Sequence, residues 1–322
     1  VWAISNAGTS LGLNGQLAAD GSFVPLDQSS FEFLDGLECG GANCPFLDLD
    51  SFQTLQAGFQ RYTLDANFTY DLDYGIEWFL ETKYSNVQGN QQGQPSFDFG
   101  APVIIQRDNA FVTPSLGAAM DAAGVTSTDL RRFNVDVGLR QEENTRETFR
   151  IVTGFRGAIG TSNFNYDVFA NYGRTAIERV NLNNRIDERW AAAQDAVFID
   201  AQGAADLRDS GLNPSAQAGD IVCRSTLQEA QGDDSGFSEL GYVGCVPINV
   251  VGFNQMSQAA RDFVNTTALS TSEVQQTQFA ASLSNPELFD GWAGPIAAVA
   301  GFEYREEQSN TNGDTFSQNV PT

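Results

Sequence analysis

The 322-residue chain carries 17 basic and 41 acidic residues and no histidine, a net charge of −24 at pH 7. That balance excludes a nucleic-acid partner, because a phosphate backbone needs clustered Lys and Arg, and the missing imidazole excludes Ser-His and Cys-His catalytic pairs and His-ligated metal. Charged residues make up only 18%, yet the 24 Phe, 8 Tyr and 4 Trp are too many for a disordered acidic tail, so the chain folds.

Val1–Asn6 has no initiator Met, basic stretch or apolar secretion segment, and reads as the interior of a longer chain. Cys39 and Cys44 bracket C-G-G-A-N-C, and Cys223 and Cys245 lie in a second Gly/Asp/Ser-rich stretch. Four cysteines allow three pairings. Local Cys39–Cys44 and Cys223–Cys245 disulfides are expected, with zinc the alternative that the spacing disfavours, and disulfides imply an oxidising compartment.

From Arg61 to Tyr70 alternation is complete: Tyr62, Leu64, Ala66, Phe68 and Tyr70 oppose Arg61, Thr63, Asp65, Asn67 and Thr69. This is the period-two mark of a strand with one apolar face. Past Asp71–Tyr74, a return strand Gly75–Tyr84 sets Ile76, Trp78, Leu80 and Tyr84 against Glu77, Glu81 and Lys83, with Phe79 the exception. The polar stretch Ser85–Arg146 follows. Within it Thr113-Pro114, Leu116, Met120 and Gly124 spell a capped short helix, and Arg131–Arg140 alternates with Phe133, Val135, Val137 and Leu139 together, a β arm extending a hairpin.

The second hairpin runs from Glu147 to Ile159, with Phe149, Ile151, Phe155 and Ile159 opposite Arg150, Gly154 and Arg156, and Val152 the exception. Gly160–Asn163 supplies turn chemistry. On the return, Phe164, Tyr166, Val168, Ala170 and Tyr172 oppose Asn165, Asp167, Asn171 and Gly173. The long stretch Ile177–Val274 holds a helix over Asp187–Val197, with Ile186, Trp190, Ala193 and Val197 at helical spacing, and another opened by Ser257. A third hairpin pairs Gln275–Leu283 with Pro295–Arg305, where Ile296, Ala298, Ala300, Phe302 and Tyr304 oppose Gly301, Glu303 and Arg305. Its connection, Asn285–Gly294, contains Pro286 and Trp292.

Even the most apolar stretch, Gly294–Phe302, is far short of the ~20 residues of a membrane helix, whereas each strand is close to the ~9–11 residues of a spanning β-strand. Short turns at one end and long polar connections at the other is the plan of an outer-membrane barrel. The fold expected is all-β, an antiparallel transmembrane β-barrel with long extracellular loops. Tyr62, Phe68, Tyr70, Trp78, Tyr84, Phe155, Phe164, Tyr166, Tyr172, Trp292, Phe302 and Tyr304 are the lipid-facing girdle. Asp65, Glu77, Glu81, Arg150, Arg156, Asp167, Glu303 and Arg305 face the lumen. Arg150 and Arg156 suit an anionic ligand or a plug contact, but a cross-strand ion-pair lattice explains them more simply. Barrels begin at about eight strands, so six require further strands or oligomerisation.

Several segments resemble barrel hairpins of TonB-dependent outer-membrane receptors with large, disulfide-bearing loops. They are Arg61-Tyr62-Thr63-Leu64, Arg146-Glu147-Thr148-Phe149-Arg150, Thr153-Gly154-Phe155-Arg156-Gly157, Asn165-Tyr166-Asp167, Asn171-Tyr172-Gly173-Arg174-Thr175, Cys223-Arg224, Gly244-Cys245-Val246-Pro247-Ile248-Asn249 and Ala300-Gly301-Phe302-Glu303-Tyr304-Arg305. The resemblance implies a fragment of a barrel of about 22 strands, plugged by an N-terminal domain and driven by the TonB machinery. Neither a plug nor a TonB-contacting segment is present in the sequence. In that frame 1–55 is a loop region and strand lead-in, 56–84, 147–178 and 274–308 are barrel hairpins, and 85–146, 179–273 and 309–322 are extracellular loops.

The function expected is uptake of a scarce small-molecule nutrient, an iron chelate, a cofactor or a saccharide, across the bacterial outer membrane, with outer-membrane lipid and the TonB machinery as partners. The alternative is an acidic surface binding or structural scaffold protein of β architecture without transport. Trp190 is the loop residue placed to stack on a ligand, although packing of the loop on itself is the simpler role. No cofactor or metal is expected: Asp233-Asp234 lacks the regular spacing of a calcium loop. Without His, a G-x-S-x-G elbow or a phosphate loop, no enzymatic activity is expected.

Overall fold

The computed structural model of the chain describes residues 2–4, 13, 15–25, 31–34, 37–40 and 52–318. The first part of the chain contains β1 (Trp2–Ile4), β2 (Gly15–Leu17), β3 (Phe23–Pro25), β4 (Phe31–Leu34), β5 (Leu37–Gly40), β6 (Gly58–Leu72), β7 (Ile76–Pro95), β8 (Phe97–Gln106), α1 (Pro114–Ala123) and β9 (Ser127–Phe133). After these come β10 (Leu139–Ala158), β11 (Asn165–Arg185), α2 (Asp187–Gln194), β12 (Ala196–Phe198), α3 (Ala201–Asp209), β13 (Ile221–Cys223), α4 (Arg224–Ala230), α5 (Glu239–Tyr242), α6 (Gln258–Val264), β14 (Asn265–Gly291), β15 (Gly294–Gly313) and α7 (Thr315–Gln318). The fold is mostly β, 54% strand and 18% helix, with antiparallel sheets. No helix among the described residues is long and apolar enough to cross a membrane.

The chain divides into two compact units. Unit 2, formed by 56–91, 142–181 and 268–322, is one six-stranded sheet in the order β15-β14-β11-β10-β7-β6. Facing pairs Leu64–Tyr84, Phe68–Leu80 and Tyr70–Trp78 put the apolar sets of β6 and β7 on one side. Phe279–Tyr304, Ala281–Phe302 and Leu283–Ala300 do the same for β14 and β15. A one-residue slip would turn every such side chain over, so the alternation itself fixes the register.

Three tight turns close the hairpins. Tyr74 (φ 69°) and Gly75 (φ 75°) both adopt the left-handed conformation that suits the twist of a short hairpin turn. In the second turn the Ile159 amide donates to the Phe164 carbonyl at 2.8 Å. In the third, Gly291 pairs with Gly294 and leaves only Trp292 and Ala293 between them. This corrects the expected Asn285–Gly294 connection: β14 continues to Gly291, with a register shift between Asn285 and Phe289. The shift accommodates Pro286, which has no amide to give to the ladder.

The six strands of unit 2 are 15 to 27 residues long, so each alternating segment of about ten is only part of a longer strand, internal in β6 and β14 and at the tight-turn end in β7, β10, β11 and β15. Beyond Tyr304 both faces of β15 turn polar, with Glu306, Glu307, Gln308 and Asn310, and an alternation argument stops there while the ladder continues to Gly313. The sheet is not closed: β6 and β15 are its edges, and six strands are not the barrel of about 22 that the resemblance implies.

Unit 1, formed by 1–55, 92–141 and 182–267, contains the five-stranded sheet β3-β2-β1-β9-β8, the pairs β12-β13 and β4-β5, and six helices among the described residues. Its main core gathers Leu17, Ile105, Leu116, Met120, Leu130, Ile248, Val250 and Val264. A smaller one gathers Val197, Ile199, Ala204, Leu207, Ala216 and Val222. α1 is capped as expected: the Thr113 hydroxyl accepts from the Leu116 amide, Pro114 opens the helix and Gly124 closes it at φ 67°. Ile186, Trp190, Ala193 and Val197 are all buried, although Val197 belongs to β12 rather than to α2. The expected arm over Arg131–Arg140 is not one strand: β9 ends at Phe133, and a turn with Gly138 at φ 127° leads into β10. Alternation survives across this turn because Phe133 and Val137 enter the same core.

Candidate functional site

Hydrogen bonds carry the two faces of unit 2 across the middle strands. Between β7 and β10, Trp78 Nε1 donates to Thr153 Oγ1 at 2.9 Å on the apolar side, while Arg156 Nε donates to Glu77 at 2.6 Å on the other. Between β10 and β11, Arg150 Nε donates to Asn171 Oδ1 at 3.1 Å, and the Asn171 amide donates to Gln276 on β14 at 3.2 Å. One face of all six strands is therefore apolar and the opposite face polar.

The apolar face is uncovered. Leu64 is 70% and Phe302 63% exposed, and Tyr62, Phe68, Tyr70, Tyr84, Phe155 and Tyr304 are exposed beside them. Trp78, Phe164, Tyr166 and Tyr172 are part-buried among their neighbours, and Phe68 meets Trp78 edge-on at 5.3 Å. Trp292 projects fully exposed from the third turn. Along β6 the apolar run from Tyr62 to Tyr70 measures about 27 Å at the usual strand rise.

The polar face is a lattice of short contacts. Lys83 pairs with Asp65 at 3.4 Å, Arg156 with Glu77, and Arg305 with Glu303 at 3.7 Å. Arg150 meets an amide rather than a carboxylate, and among the described residues Glu81 and Asp167 make no ion pair. The two exceptions to alternation, Phe79 and Val152, lie on this polar face. Val152 is buried, and a Cβ at the adjacent Gly154 would stand 2.8 Å from the Phe79 ring and from Phe169 Cβ, and 2.3 Å from the Val168 carbonyl. The Arg156 guanidinium covers the Phe79 ring at 5.4 Å. These apolar side chains form a small island under an arginine instead of breaking the face.

In unit 1 the polar groups work as clasps. Arg132 and Asp136, both fully buried, pair at 2.6 Å; burial pulls the guanidinium below its usual pKa, and Asp136 opposes that. Asp98 accepts from Arg185 at 2.8 Å and from Asn134 at 2.8 Å. Arg185 lies 4.9 Å over the ring of Trp190, which is 3% exposed inside the core. Packing is the role this position supports for Trp190. Arg224 grips both oxygens of Asp108 at 2.7 and 3.1 Å and also Asp195 at 2.9 Å. Its hydrogen bonds hold the Asp108 carboxyl below the usual range.

The Cys223–Cys245 disulfide is present, with Cα atoms 6.1 Å apart, beside Arg224. The Cys39–Cys44 pairing lies outside the described residues. No group of three or more Cys, Asp or Glu among the described residues could hold a metal ion. Sequence reasoning missed the Asp98–Asn134–Arg185 and Arg132–Asp136 clasps. The second had a signal in its i,i+4 spacing; Asp98 and Arg185, 87 residues apart, had none. No protein-family model and no curated protein matches this chain.

Proposed function

We propose that the six-stranded sheet is part of the wall of a transmembrane β-barrel in the bacterial outer membrane, and that the protein is a TonB-dependent receptor that takes up a scarce small-molecule nutrient. The observation that carries the membrane reading is the uncovered apolar face, continuous over six neighbouring strands and backed by a polar, ion-paired one. In water such a patch far exceeds what a soluble monomer leaves open; against acyl chains it needs no cover. The open edges of β6 and β15 would pair with further barrel strands, because an unpaired backbone group in lipid costs several kcal/mol.

Unit 1 supplies the connections from β7 to β10 and from β11 to β14. Inserts of that size, with cores of their own, suit ligand capture outside the membrane. The TonB dependence rests on the resemblance of the hairpin segments. The test is flotation and uptake: the full-length protein should co-float with phospholipid vesicles, and a deletion strain should lose uptake of one nutrient class only while TonB is functional. Protein that stays in the aqueous fraction without detergent would overturn the membrane reading, and unimpaired uptake of every nutrient would overturn transport.

A further inference from the structure

The limit of the apolar band away from the tight turns is marked by Tyr62, Tyr84, Phe149, Tyr172, Phe279 and Tyr304, one in each strand of unit 2. Within one residue of that limit and beyond it, charge is sorted between the two faces. The face continuous with the polar one carries Arg61, Lys83, Arg146, Arg150, Arg179 and Arg305 against Glu142, Glu303 and Glu307, six cations to three carboxylates and a net +3. The face continuous with the apolar one carries Glu143, Glu147, Glu178, Glu273 and Glu306 against Arg174, a net −4. Contacts fix the two sets: Arg179 meets Glu142 at 3.6 Å and Asn144 at 3.3 Å on the first face, and Arg174 is bonded to Glu273 on the second, in a cleft also lined by Glu147 and Glu178.

A positive band runs against the average of a chain with net charge −24. Lys83, Arg179 and Arg305 have carboxylate partners at 3.4 to 3.9 Å, but Arg61, Arg146 and Arg150 make no ion pair among the described residues. A lattice built for cohesion alone would put both signs on one face; here Glu147 follows Arg146, and Glu178 precedes Arg179, on the opposite face. Hydrated guanidinium groups still set the sign of the potential over the face they share.

We propose that this end of the polar face captures the nutrient by its negative charge, so that the substrate is an oxyanion, a small molecule bearing carboxylates or phosphates. Arginine forks match either group with two bonds, and Arg or Lys lining the wall of a bore favours anions. Capture is confined to this end, because towards the turns Asp65, Glu77, Glu81 and Asp167 outnumber Arg156 and repel an anion. The proposal deepens the receptor reading above and rests on it.

The experiment introduces one thiol at a time, Thr148→Cys between Arg146 and Arg150 or Thr145→Cys on the other face, into the full-length protein in phosphatidylcholine vesicles. Rates of modification by a methanethiosulfonate bearing a sulfonate and by one bearing a trimethylammonium are each divided by the rate with free cysteine. The corrected ratio should favour the sulfonate at 148 and the ammonium at 145. Arg146→Gln/Arg150→Gln should lower the ratio at 148 about fivefold, for two charges about 7 Å away and a Debye length of about 8 Å. Citrate and pyrophosphate, compared at constant ionic strength, should slow the reaction at 148 with the arginines in place and not in their absence, and whichever acts at the lower concentration tells a carboxylate nutrient from a phosphate one. Thr175→Cys, whose hydroxyl lies 3.2 Å from that of Thr148, gives the same reading if Thr148→Cys fails to fold. Preference for the ammonium at 148, indifference to the loss of both arginines, or protection by neither anion would each overturn the proposal. Protein that co-floats with the vesicles without the preference sinks only this proposal; protein that does not co-float sinks the membrane reading with it.

Discussion

Gly154 shows how one residue decides whether the polar face tolerates its apolar island. A methyl group there would press on the Val168 carbonyl at 2.3 Å, which is backbone of the neighbouring strand and has nowhere to move. Gly154→Ala should therefore cost about 1–3 kcal/mol, the usual range for overpacking, read as a lower urea midpoint of the refolded protein. Gly173→Ala, where the nearest atom is 4.0 Å away, should cost much less. Phe79 and Val152 were visible in the sequence as exceptions to alternation, but the reason was not, since it lies in Phe169 and Arg156 on other strands or other turns of the register.

A second residue-scale effect is acid sensitivity at the Asp108–Arg224 clasp. Because the folded Asp108 carboxyl is held below its ordinary value, its stabilisation is present above the unfolded pKa of about 3.9 and is lost as pH falls through the lower folded value. The pair is partly exposed, so the contribution stays within about 1 kcal/mol. Asp108→Asn should lower the thermal midpoint at pH 7 and run together with the parent protein in strong acid. Parallel curves down to the lowest pH would remove the clasp from the account.

At the scale of elements, the two faces of β6 and β15 make opposite predictions. Arg placed at Leu64 or Phe302 should cost roughly 2–4 kcal/mol of folding free energy in vesicles if these positions meet the middle of the bilayer, whereas Arg at Thr63 or Gly301 on the polar face should cost far less. Chemical denaturation from vesicles checks the difference. The strands were legible where one face was apolar, which in β7, β10, β11 and β15 is the end next to the tight turn, and the polar far ends of β7, β14 and β15 were not, because backbone pairing continues after the side-chain signal stops. Pro286 was misleading for a physical reason: proline ends most strand patterns, but here a register shift absorbs it. The short helices divide similarly. Thr113, Pro114 and Gly124 announced α1 by its caps, while α3 had only Asp200, whose carboxylate accepts from the Gly203 amide at 2.8 Å, as an overlooked cap.

For the whole molecule, the sequence offered a list of loops where the fold has a second unit with its own cores. What assembles that unit is long-range. Arg224 and Asp108 meet across 116 residues, and no local pattern encodes such a partnership. The Cys223–Cys245 bridge closes a 22-residue separation in the same region, and replacing both cysteines with Ala should cost about 3 kcal/mol through the freed unfolded chain. That loss should appear as earlier protease cleavage within 182–267, with the strands of unit 2 unaffected.

The claim on which the rest depends is that the apolar face of unit 2 meets acyl chains. Spin labels placed one at a time from Arg61 to Tyr70 in the vesicle-bound, full-length protein test it directly, through their collisions with dissolved oxygen and with a water-soluble nickel complex. Labels at positions 62, 64, 66, 68 and 70 should collide mainly with oxygen, and those at 61, 63, 65, 67 and 69 mainly with nickel, in strict alternation. Labels at 64 and 68 shielded from both reagents would place that face inside a protein core and contradict the account.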